Sequence, residues 1–368
     1  MIKCSHISYS KGLTDGGISS AVSSIIDSQE LFEINAKWIT LKDINTNCLS
    51  NIFTNQKETL FHIHGLWRSP TREISKNKIF SPYLISPHGM LSKWALRKSF
   101  LKKKLALFFW ENKSLINAKC VHALSKSEME DIKNINEKIP VAVIPNCIKN
   151  NYSKYALMDK NYLRSISGLK KLGINKNDKV LLYLGRFHEG KNIELLLEVW
   201  FQLNHYVKQK SWHFVIVGDG EIKNKIISLK SKYPDMQYNW HILDPKFGKE
   251  KFLTYYSSDA FILCSDSEGL PMSPLEAMST GLYCLLTSEC NLNDFIEKKL
   301  ALLISKDKSK LKESLISLFN QDSFEREKLN KKIIENLQNN YSQLKIGNQY
   351  FELYNWILNN KDKPNFVF

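Results

Sequence analysis

The stretch from Ala260 to Met278, AFILCSDSEGLPMSPLEAM, decides the fold because it joins a short apolar run to a segment of helical pattern. Short apolar runs alternate with helix-period segments through almost all of the 368 residues. This alternation is typical of parallel sheets covered by helices. We therefore predict an α/β protein with strands at Ile2 to Ser8, Ile34 to Thr40, Leu60 to His64, Tyr83 to Ser86, Cys120 to Leu124, Val141 to Ile144, Lys179 to Leu184, His213 to Val217, Tyr238 to Leu243, Ala260 to Cys264, Tyr283 to Leu286 and Ala301 to Ile304.

The length predicts two doubly wound domains, since one domain usually takes about 150 residues. A polar stretch near Pro145 to Lys160 marks the join. The expected domains are 1–150 and 151–345, and the helical segment 346–368 is expected to return to the first domain. A ligand is expected in the cleft between the two sheets, at the carboxyl ends of their strands.

Several classes of protein are excluded. No apolar run approaches the roughly 18 residues that span a bilayer, and the start lacks a signal-peptide pattern, so the expected location is the cytoplasm. The seven cysteines are scattered and form no C-x-x-C pair, which argues against disulfides and a zinc site. The alternate histidines His62 and His64 lack further ligands in the sequence, so no metal is expected.

The net charge of +15 is concentrated in the first part of the chain. The segment from Lys93 to Trp110 holds no acid, and its six Lys and Arg residues alternate with Trp, Phe and Leu. Residues 93–110 are therefore either a membrane-contact segment for anionic lipid or an ordinary basic surface helix. Nucleic acid is not an expected partner, because no recognition motif accompanies the charge.

Three loops carry residues suited to binding an anionic, hydroxylated ligand. Gly16 and Gly17 precede a helix whose amide groups suit a phosphate. Arg186 and Lys191 bracket another strand-to-helix turn, and two cations there suit a diphosphate. Glu276 follows the predicted strand Ala260 to Cys264, on a half-buried helix face where an unpaired carboxylate is costly and a ligand hydroxyl would satisfy it.

These motifs, taken in order, resemble family 4 of the retaining glycosyltransferases. The resemblance rests on Gly16-Gly17, on Arg186 with Lys191, and on Glu268 to Glu276 with seven residues between them. It also rests on Ser86-Pro87-His88-Gly89-Met90 and on Gly218-Asp219-Gly220-Glu221. It implies the GT-B fold, with two Rossmann-like domains facing across a cleft and a hexosyltransferase-type activity.

The resemblance also implies the roles of particular residues. Arg186 and Lys191 would hold the diphosphate of a UDP- or GDP-sugar, and Glu276 would bind its ribose. Glu268 with Gly269, Leu270, Pro271 and Met272 would hold the donor sugar, His88 would reach the sugar near its anomeric centre, and Gly16 and Gly17 would approach the phosphates. On the acceptor side, His64 and Trp67 are candidates for the cleft wall. The alternative is that both are ordinary packing residues.

The expected reaction needs no metal and no cofactor, since two cations and helix ends would stabilise the leaving diphosphate. The expected acceptor is a lipid-linked glycan in lipopolysaccharide O-antigen, capsule or exopolysaccharide assembly, reached from the inner face of the membrane. Two alternatives stay open: a catalytically silent nucleotide-sugar-binding subunit, and a sugar-nucleotide epimerase or phosphorylase of similar fold.

Overall fold

The computed structural model describes residues 1–11, 17–42, 51–53, 59–76, 81–149, 152–234, 239–359 and 361–368. By its contacts the chain forms two units. The first comprises Met1–Lys149, Ser267–Met272 and Asn340–Phe368, and the second comprises Asn150–Asp266 and Ser273–Asn339. The segments 267–272 and 340–368 therefore group with the first unit although residues of the second precede them in the chain.

A six-stranded parallel sheet forms the centre of the first unit, in the order β2-β1-β3-β4-β5-β6. Every residue of β3, β4 and β5 is buried, as expected where helices cover both faces of a parallel sheet. The strands are β1 (Ile2–Ser8), β2 (Ile34–Thr40), β3 (Leu60–His64), β4 (Tyr83–Ser86), β5 (Cys120–Ala123) and β6 (Val141–Val143).

A helix from the far end of the chain completes the first unit. Gly347 lies where this helix meets the chain at Ser28, and a Cβ there would come within 2.3 Å of the Ser28 carbonyl oxygen. The last residues add to the edge of the sheet, because Val141 and Phe368 exchange two backbone hydrogen bonds. The helices of this unit are Gly17–Gln29, Ser69–Lys76, Lys93–Arg97, Phe100–Ala106, Asn112–Asn117, Lys126–Lys133 and Gln343–Asn359, with a π-helix at Leu107–Glu111.

The second unit is built on another six-stranded parallel sheet, in the order β12-β11-β10-β7-β8-β9. β7 and β10 are neighbours, so the loops that follow them lie at the same edge of the sheet. The strands are β7 (Lys179–Leu184), β8 (Trp212–Val217), β9 (Trp240–Leu243), β10 (Ala260–Leu263), β11 (Tyr283–Leu286) and β12 (Ala301–Leu303).

The predicted strands are confirmed to within two residues at each end, and Tyr238, the predicted start of β9, lies outside the described residues. The helical pattern from Lys191 to Leu203 predicts a helix over that range, but the helix starts at Ile193, because Asn192 is left-handed with φ of 53°. The helices here are Lys160–Ile166, Ile193–Gln202, Asn204–Gln209, Lys223–Lys232, Gly248–Tyr256, Met272–Ser279, Asn293–Glu297, Lys308–Asn320 and Ser323–Tyr341, with 3₁₀ turns at Ser153–Leu157, Leu169–Leu172, Glu189–Lys191 and Ser288–Cys290.

No helix in the described residues combines the length and the apolar character that a membrane span needs. Six cysteines in this part of the chain are free thiols and all are buried. They act as small apolar side chains within the cores.

Candidate active site

The turn after β7 presents Arg186 to solvent and anchors the residue beside it. Phe187 is fully buried, and its amide donates to the carbonyl of Asp219 over 2.8 Å. Gly218 permits this packing, because a Cβ there would lie 2.0 Å from the carbonyl oxygen of Gly185. The alternation leaves Arg186 exposed at the carboxyl end of the sheet.

Lys191 closes a short 3₁₀ turn, and the next residue fastens this turn to the loop after β10. The side-chain amide Nδ2 of Asn192 donates to the carbonyl of Cys264 over 3.0 Å and to Asp266 Oδ1 over 2.9 Å. The Asp266 amide donates back to the carbonyl of Gly190 over 2.8 Å. Asn192 was not predicted as a site residue. The available signal in the sequence is that asparagine tolerates the left-handed backbone, which is required here between the 3₁₀ turn and the helix that follows it.

Glu276 lies on the helix Met272–Ser279 and is 7% exposed. Its carboxylate is already paired, since Oε1 lies 2.5 Å from Lys251 Nζ and Oε2 accepts the Tyr255 hydroxyl over 3.0 Å. Burial and the neighbouring carboxylate raise the pKa of Tyr255 well above its ordinary value, so it stays a donor. The expectation that Glu276 is unpaired until a ligand hydroxyl satisfies it is therefore wrong. A carboxylate has about four lone-pair positions, which leaves capacity for a ribose hydroxyl.

Replacing Lys251 with alanine should lower the free energy of unfolding of the second unit by about 3 kcal/mol, because it leaves a buried carboxylate without its cation. Lys249 lies exposed on the same helix, so Lys249→Ala should change it by less than about 0.5 kcal/mol. Urea unfolding measures both variants. Equal losses would show that the pair contributes nothing, and Glu276→Gln added to Lys251→Met should recover part of the loss.

His88 follows β4 in a loop of left-handed backbone, with φ of 54° at His88 and 77° at Gly89. Glu128 holds this loop, accepting the amide of Gly89 over 2.6 Å and that of Leu124 over 2.8 Å. Burial raises the pKa of Glu128 to about 7. Glu128 was also missed, although Ser125-x-x-Glu128 is a capping-box pattern that would have located it.

Glu268 lies in the segment Ser267–Met272, which contacts the His88 loop within the first unit. A Cβ on Gly89 would lie 2.8 Å from the amide nitrogen of Gly269, so only glycine allows this approach. The Leu270 carbonyl accepts from Asn146 Nδ2 over 2.9 Å. The structure thus brings His88 together with Glu268 and Gly269, and in the second unit it brings the Lys191 turn to the loop after β10.

Pro271 and Met272, predicted to hold the donor sugar, end this segment and are half-buried. Pro271 has no amide hydrogen, so it offers the sugar a carbonyl and no N–H donor.

Gly16 and Gly17 are the two glycines predicted to approach the phosphates. Gly17 begins the helix Gly17–Gln29, is exposed, and has open space where a Cβ would stand. Gly16 lies outside the described residues. A role of either glycine in phosphate binding stays a prediction.

His64 ends β3 and Trp67 follows three residues later. His64 is 4% exposed, and its Nδ1 lies 2.9 Å from His88 Nε2. Trp67 has φ of 67°, an uncommon conformation for a bulky residue, and its amide donates to Glu111 Oε1 over 2.6 Å. Burial raises the pKa of Glu111. The acceptor-side role of both residues stays a prediction.

The expectation that no third ligand accompanies His62 and His64 is wrong in geometry. His6 on β1 joins them, and ligand atoms of the three rings lie within 4.8 Å of one another. Each ring nitrogen of the three is, however, already in a hydrogen bond to a neighbouring side chain. A cation would have to break several of these bonds, so the folded cluster is better described as a hydrogen-bonded network.

The basic segment 93–110 does not form one continuous helix. Ser99 has a left-handed backbone and separates Lys93–Arg97 from Phe100–Ala106. Apolar rings beyond the break face solvent, with Phe108 78% and Phe109 65% exposed. Lys102 and Lys104 are exposed beside them.

A pocket of about 370 Å³ in the second unit lies away from these loops. Lys179 and Asp259, which line it, stand at the amino ends of β7 and β10. Asp259 is held there by Lys160 and by the buried Arg164. Because ligands of parallel sheets bind at the carboxyl ends, we assign the site to the loops and not to this pocket.

Comparison with known proteins matches the part of the chain that contains Arg186, Lys191 and Glu276. Residues 168–340 match the family model described as Glycosyl transferases group 1. An Escherichia coli UDP-Gal:alpha-D-GlcNAc-diphosphoundecaprenol alpha-1,3-galactosyltransferase is 29% identical over 260 residues, 68% of this chain and 62% of that protein. The E. coli O-antigen biosynthesis glycosyltransferase WbnH is 31% identical over 45% of this chain and 46% of its own length. The chain thus spans less than two thirds of the relatives it matches.

Solved structures share the fold at low identity. Anabaena Alr3699/HepE in complex with UDP-glucose superposes with a TM-score of 0.73 at 13% identity, covering 96% of this chain and 99% of that one. Sucrose-phosphate synthase from Thermosynechococcus elongatus gives 0.75 at 16% identity, covering 98% and 100%. The chain has the GT-B fold of two Rossmann-like units, and its residues 168–340 carry the sequence pattern of the group 1 glycosyltransferases.

Proposed function

We propose that the chain is a retaining glycosyltransferase that moves a sugar from a nucleotide-diphosphate donor to a glycan acceptor in bacterial surface polysaccharide assembly. The observation that carries this proposal is the fastening of the Arg186–Lys191 turn to the loop after β10 through Asn192 and Asp266. These bonds hold the turn with the two cations against the loop that leads to Glu276, at one edge of one sheet. The group 1 pattern over residues 168–340 supports the same assignment.

Arg186 and Lys191 hold the diphosphate in this proposal. Each charge-assisted bond to a phosphate oxygen contributes about 1.5 to 3 kcal/mol, and the bonds strengthen as negative charge develops on the leaving group. Glu276, oriented by Lys251 and Tyr255, accepts the ribose hydroxyls. Glu268 and the backbone of Gly269 hold the donor sugar.

The transfer step needs no protein nucleophile. The acceptor hydroxyl oxygen bonds to the anomeric carbon on the face from which the diphosphate leaves, so the configuration is retained. The bond from the anomeric carbon to the phosphate oxygen breaks with its electron pair, and the hydroxyl proton passes to that departing oxygen. The two cations neutralise the diphosphate, so we propose that the step proceeds without a divalent metal.

A relative supports a proposal for the donor and acceptor classes. The E. coli galactosyltransferase named above uses, as its name states, UDP-Gal and a diphosphoundecaprenol-linked GlcNAc. We propose a UDP-sugar as the first donor to test and a lipid-diphosphate-linked sugar as the acceptor.

The test is a donor screen with UDP-, GDP- and dTDP-sugars and a lipid-diphosphate-linked GlcNAc, run with and without EDTA. We expect release of nucleoside diphosphate equal to product formed, an axial-to-axial or equatorial-to-equatorial outcome by NMR, and no loss in EDTA. Donor binding without turnover on any acceptor would instead identify a silent subunit. Conversion of the donor without nucleotide release would identify an epimerase.

We also propose that the surface of Phe100, Leu101, Leu105, Phe108 and Phe109 rests on an anionic bilayer. These five side chains are between 56% and 78% exposed, which is costly for aromatic and aliphatic groups in water. Lys102 and Lys104 alternate with them, and each basic residue near an anionic surface contributes about 1 kcal/mol to binding. A lipid-linked acceptor would be reached from such a position.

Replacing both Phe108 and Phe109 with serine should weaken binding to phosphatidylglycerol vesicles by at least about tenfold, since each buried ring contributes about 1.5 to 3 kcal/mol. Leu157 is 93% exposed in the second unit and serves as the control, so Leu157→Ser should bind as the parent does. Vesicle co-sedimentation measures both. Equal binding by the double variant and the parent would rule out insertion of these rings.

A further inference from the structure

A continuous chain of hydrogen bonds runs through the first unit and ends at His88. It links a backbone carbonyl, five histidine rings including that of His88, two side-chain hydroxyls and one side-chain amide. Its eight bonds are all between 2.6 and 2.9 Å. In order, the groups are the Ile144 carbonyl, His122, Ser86, His62, Tyr354, Gln29, His6, His64 and His88.

The direction of the chain is fixed at its first bond. The Ile144 carbonyl can only accept, so Nε2 of His122, 2.7 Å away, carries the proton. The neutral ring then has its lone pair on Nδ1, and the Ser86 hydroxyl must donate to it over 2.6 Å. Since that hydroxyl has one proton, it can only accept from His62, whose Nε2 is therefore protonated.

The next two groups lie on helices of the first unit, Tyr354 on Gln343–Asn359 and Gln29 at the end of Gly17–Gln29. His62 Nδ1 is an acceptor, so the Tyr354 hydroxyl donates to it over 2.8 Å and in turn accepts from the amide nitrogen of Gln29 over 2.9 Å. The amide oxygen of Gln29 then faces His6 Nε2, which must be the protonated nitrogen. The orientation of the Gln29 amide thus agrees with the direction set at Ile144.

Two bonds remain. His6 Nδ1 has the lone pair, so His64 donates from Nε2 over 2.9 Å. His64 Nδ1 therefore accepts, and the donor is Nε2–H of His88 over 2.9 Å. Reversing any member would set two lone pairs or two protons against each other in a buried site, which costs the full desolvation of both groups.

We propose that this chain fixes His88 as the Nε2–H tautomer and presents its Nδ1 as a hydrogen-bond acceptor. The other side chains of the hydrogen-bonded chain are then positioning residues for His88: His64, His6, Gln29, Tyr354, His62, Ser86 and His122. In the described part of the chain Nδ1 of His88 has no hydrogen-bond partner. A ligand group that meets this nitrogen must donate, as a sugar hydroxyl does, and a phosphate oxygen cannot. This consequence rests on the proposed function, whereas the tautomer does not.

Neutral rings are required for this reasoning, and the surroundings supply them. Burial lowers the pKa of His6 and of His122 to about 4 and that of His88 to about 3. Burial, followed by repulsion from the other rings, lowers the pKa of His62 and of His64 well below the ordinary value. Each ring therefore has one donor and one acceptor at neutral pH.

The direct test is the tautomer of His88 in the unliganded protein, read from long-range ¹H–¹⁵N correlation spectra of ¹⁵N-histidine-labelled protein. The His88→Gln spectrum assigns the ring. We expect a protonated Nε2 and an unprotonated Nδ1. A protonated Nδ1, or a charged ring at pH 7, would overturn the proposal whether or not the protein transfers sugar. Zinc added to the same sample should leave the His6, His62 and His64 signals unchanged, and their loss would show a metal site instead.

A second measurement tests the chain itself. Tyr354→Phe removes the hydroxyl that joins the two halves of the hydrogen-bonded chain. The Gln29 amide is then free to turn, and His88 should show both tautomers. Tyr206→Phe is the matched control, because that hydroxyl bonds an exposed Asn320 in the second unit. If Tyr354→Phe does not fold, Ser86→Ala interrupts the chain with a smaller change. An unchanged His88 spectrum in either folded variant would refute the proposal.

The ligand class is tested with donors in which single sugar hydroxyls are replaced by fluorine, which cannot donate. One position should lower kcat/KM at least about tenfold in the parent, the loss of one hydrogen bond of about 1.4 kcal/mol, and should cost nothing further in His88→Ala. Equal losses in parent and variant at every position would show that Nδ1 accepts no sugar hydroxyl, while the tautomer result would stand.

Discussion

Replacing both Arg186 and Lys191 with alanine is expected to lower kcat at least about a hundredfold, because each charge-assisted bond to the leaving diphosphate exceeds about 1.4 kcal/mol. Lys191→Ala alone should lose at least about tenfold. The two losses need not add, since both cations bind one group. Initial rates of nucleotide release at saturating donor measure the effect.

Lys225 provides the matched control for this prediction. It is an exposed lysine of the same unit that pairs with Glu194 on the surface, so Lys225→Ala should keep the parental rate. The Tm of all variants should agree within a few degrees, because Arg186 is exposed and its removal leaves no cavity. Near-normal turnover in the double variant would refute the assignment of the diphosphate site.

Lowering the pH from 7.5 to 5.5 is expected to reduce the free energy of unfolding of the first unit by about 5 kcal/mol, a second large effect. Five histidines have lowered pKa values: the almost fully buried His6, His62, His64 and His122, and the half-buried His88. In the unfolded chain each titrates near 6.5, so below that pH the unfolded state binds protons that the native state refuses. Each of these histidines then lowers the free energy of unfolding by about 1.4 kcal/mol between pH 7.5 and pH 5.5.

Other titratable groups near these rings set the net value. Burial raises the pKa of Cys4 to about 12 and those of Tyr350 and Tyr354 well above their ordinary values, so these groups do not titrate in this range. Glu128 acts in the opposite sense. Its pKa of about 7 means that the native state takes up a proton as the pH falls, which returns about 2 of the roughly 7 kcal/mol.

Hydrogen exchange of the strand Leu60–His64 at the two pH values, corrected for intrinsic rates, measures this change, with Lys179–Leu184 of the second unit as the internal reference. His205 is exposed, so His205→Gln should leave the pH dependence unchanged. His122→Asn should reduce its slope by about one proton. Exchange protection that is flat between these pH values would show that the rings titrate normally or that water reaches them.

The strands could be predicted from the sequence because buried parallel strands are continuous apolar runs between turn residues. Helix starts were less certain where a residue other than glycine takes the left-handed backbone, as Asn192 and Ser99 do. Such positions depend on contacts from other loops, which local patterns do not contain.

The charged residues of the site were found through their motifs, but their partners were not. Lys251 meets Glu276 across 25 positions of the chain, and no pattern specifies that pairing. The histidine network required strand register. His6 is opposite His62 and His64 is opposite Ser86 only because β1, β3 and β4 pair in parallel with one particular alignment. Histidines within otherwise apolar strands were the available signal.

The first unit is assembled from chain segments separated by almost two hundred residues, and this affects the order of biosynthesis. The residues from Asn340 onward, with Tyr350 and Tyr354 buried against the sheet, leave the ribosome after all of the second unit. Translation therefore exposes an unfinished hydrophobic face at the amino-terminal sheet until the second unit has been made. A fragment of residues 1–149 would keep that face uncovered, and chaperone dependence should be sought there.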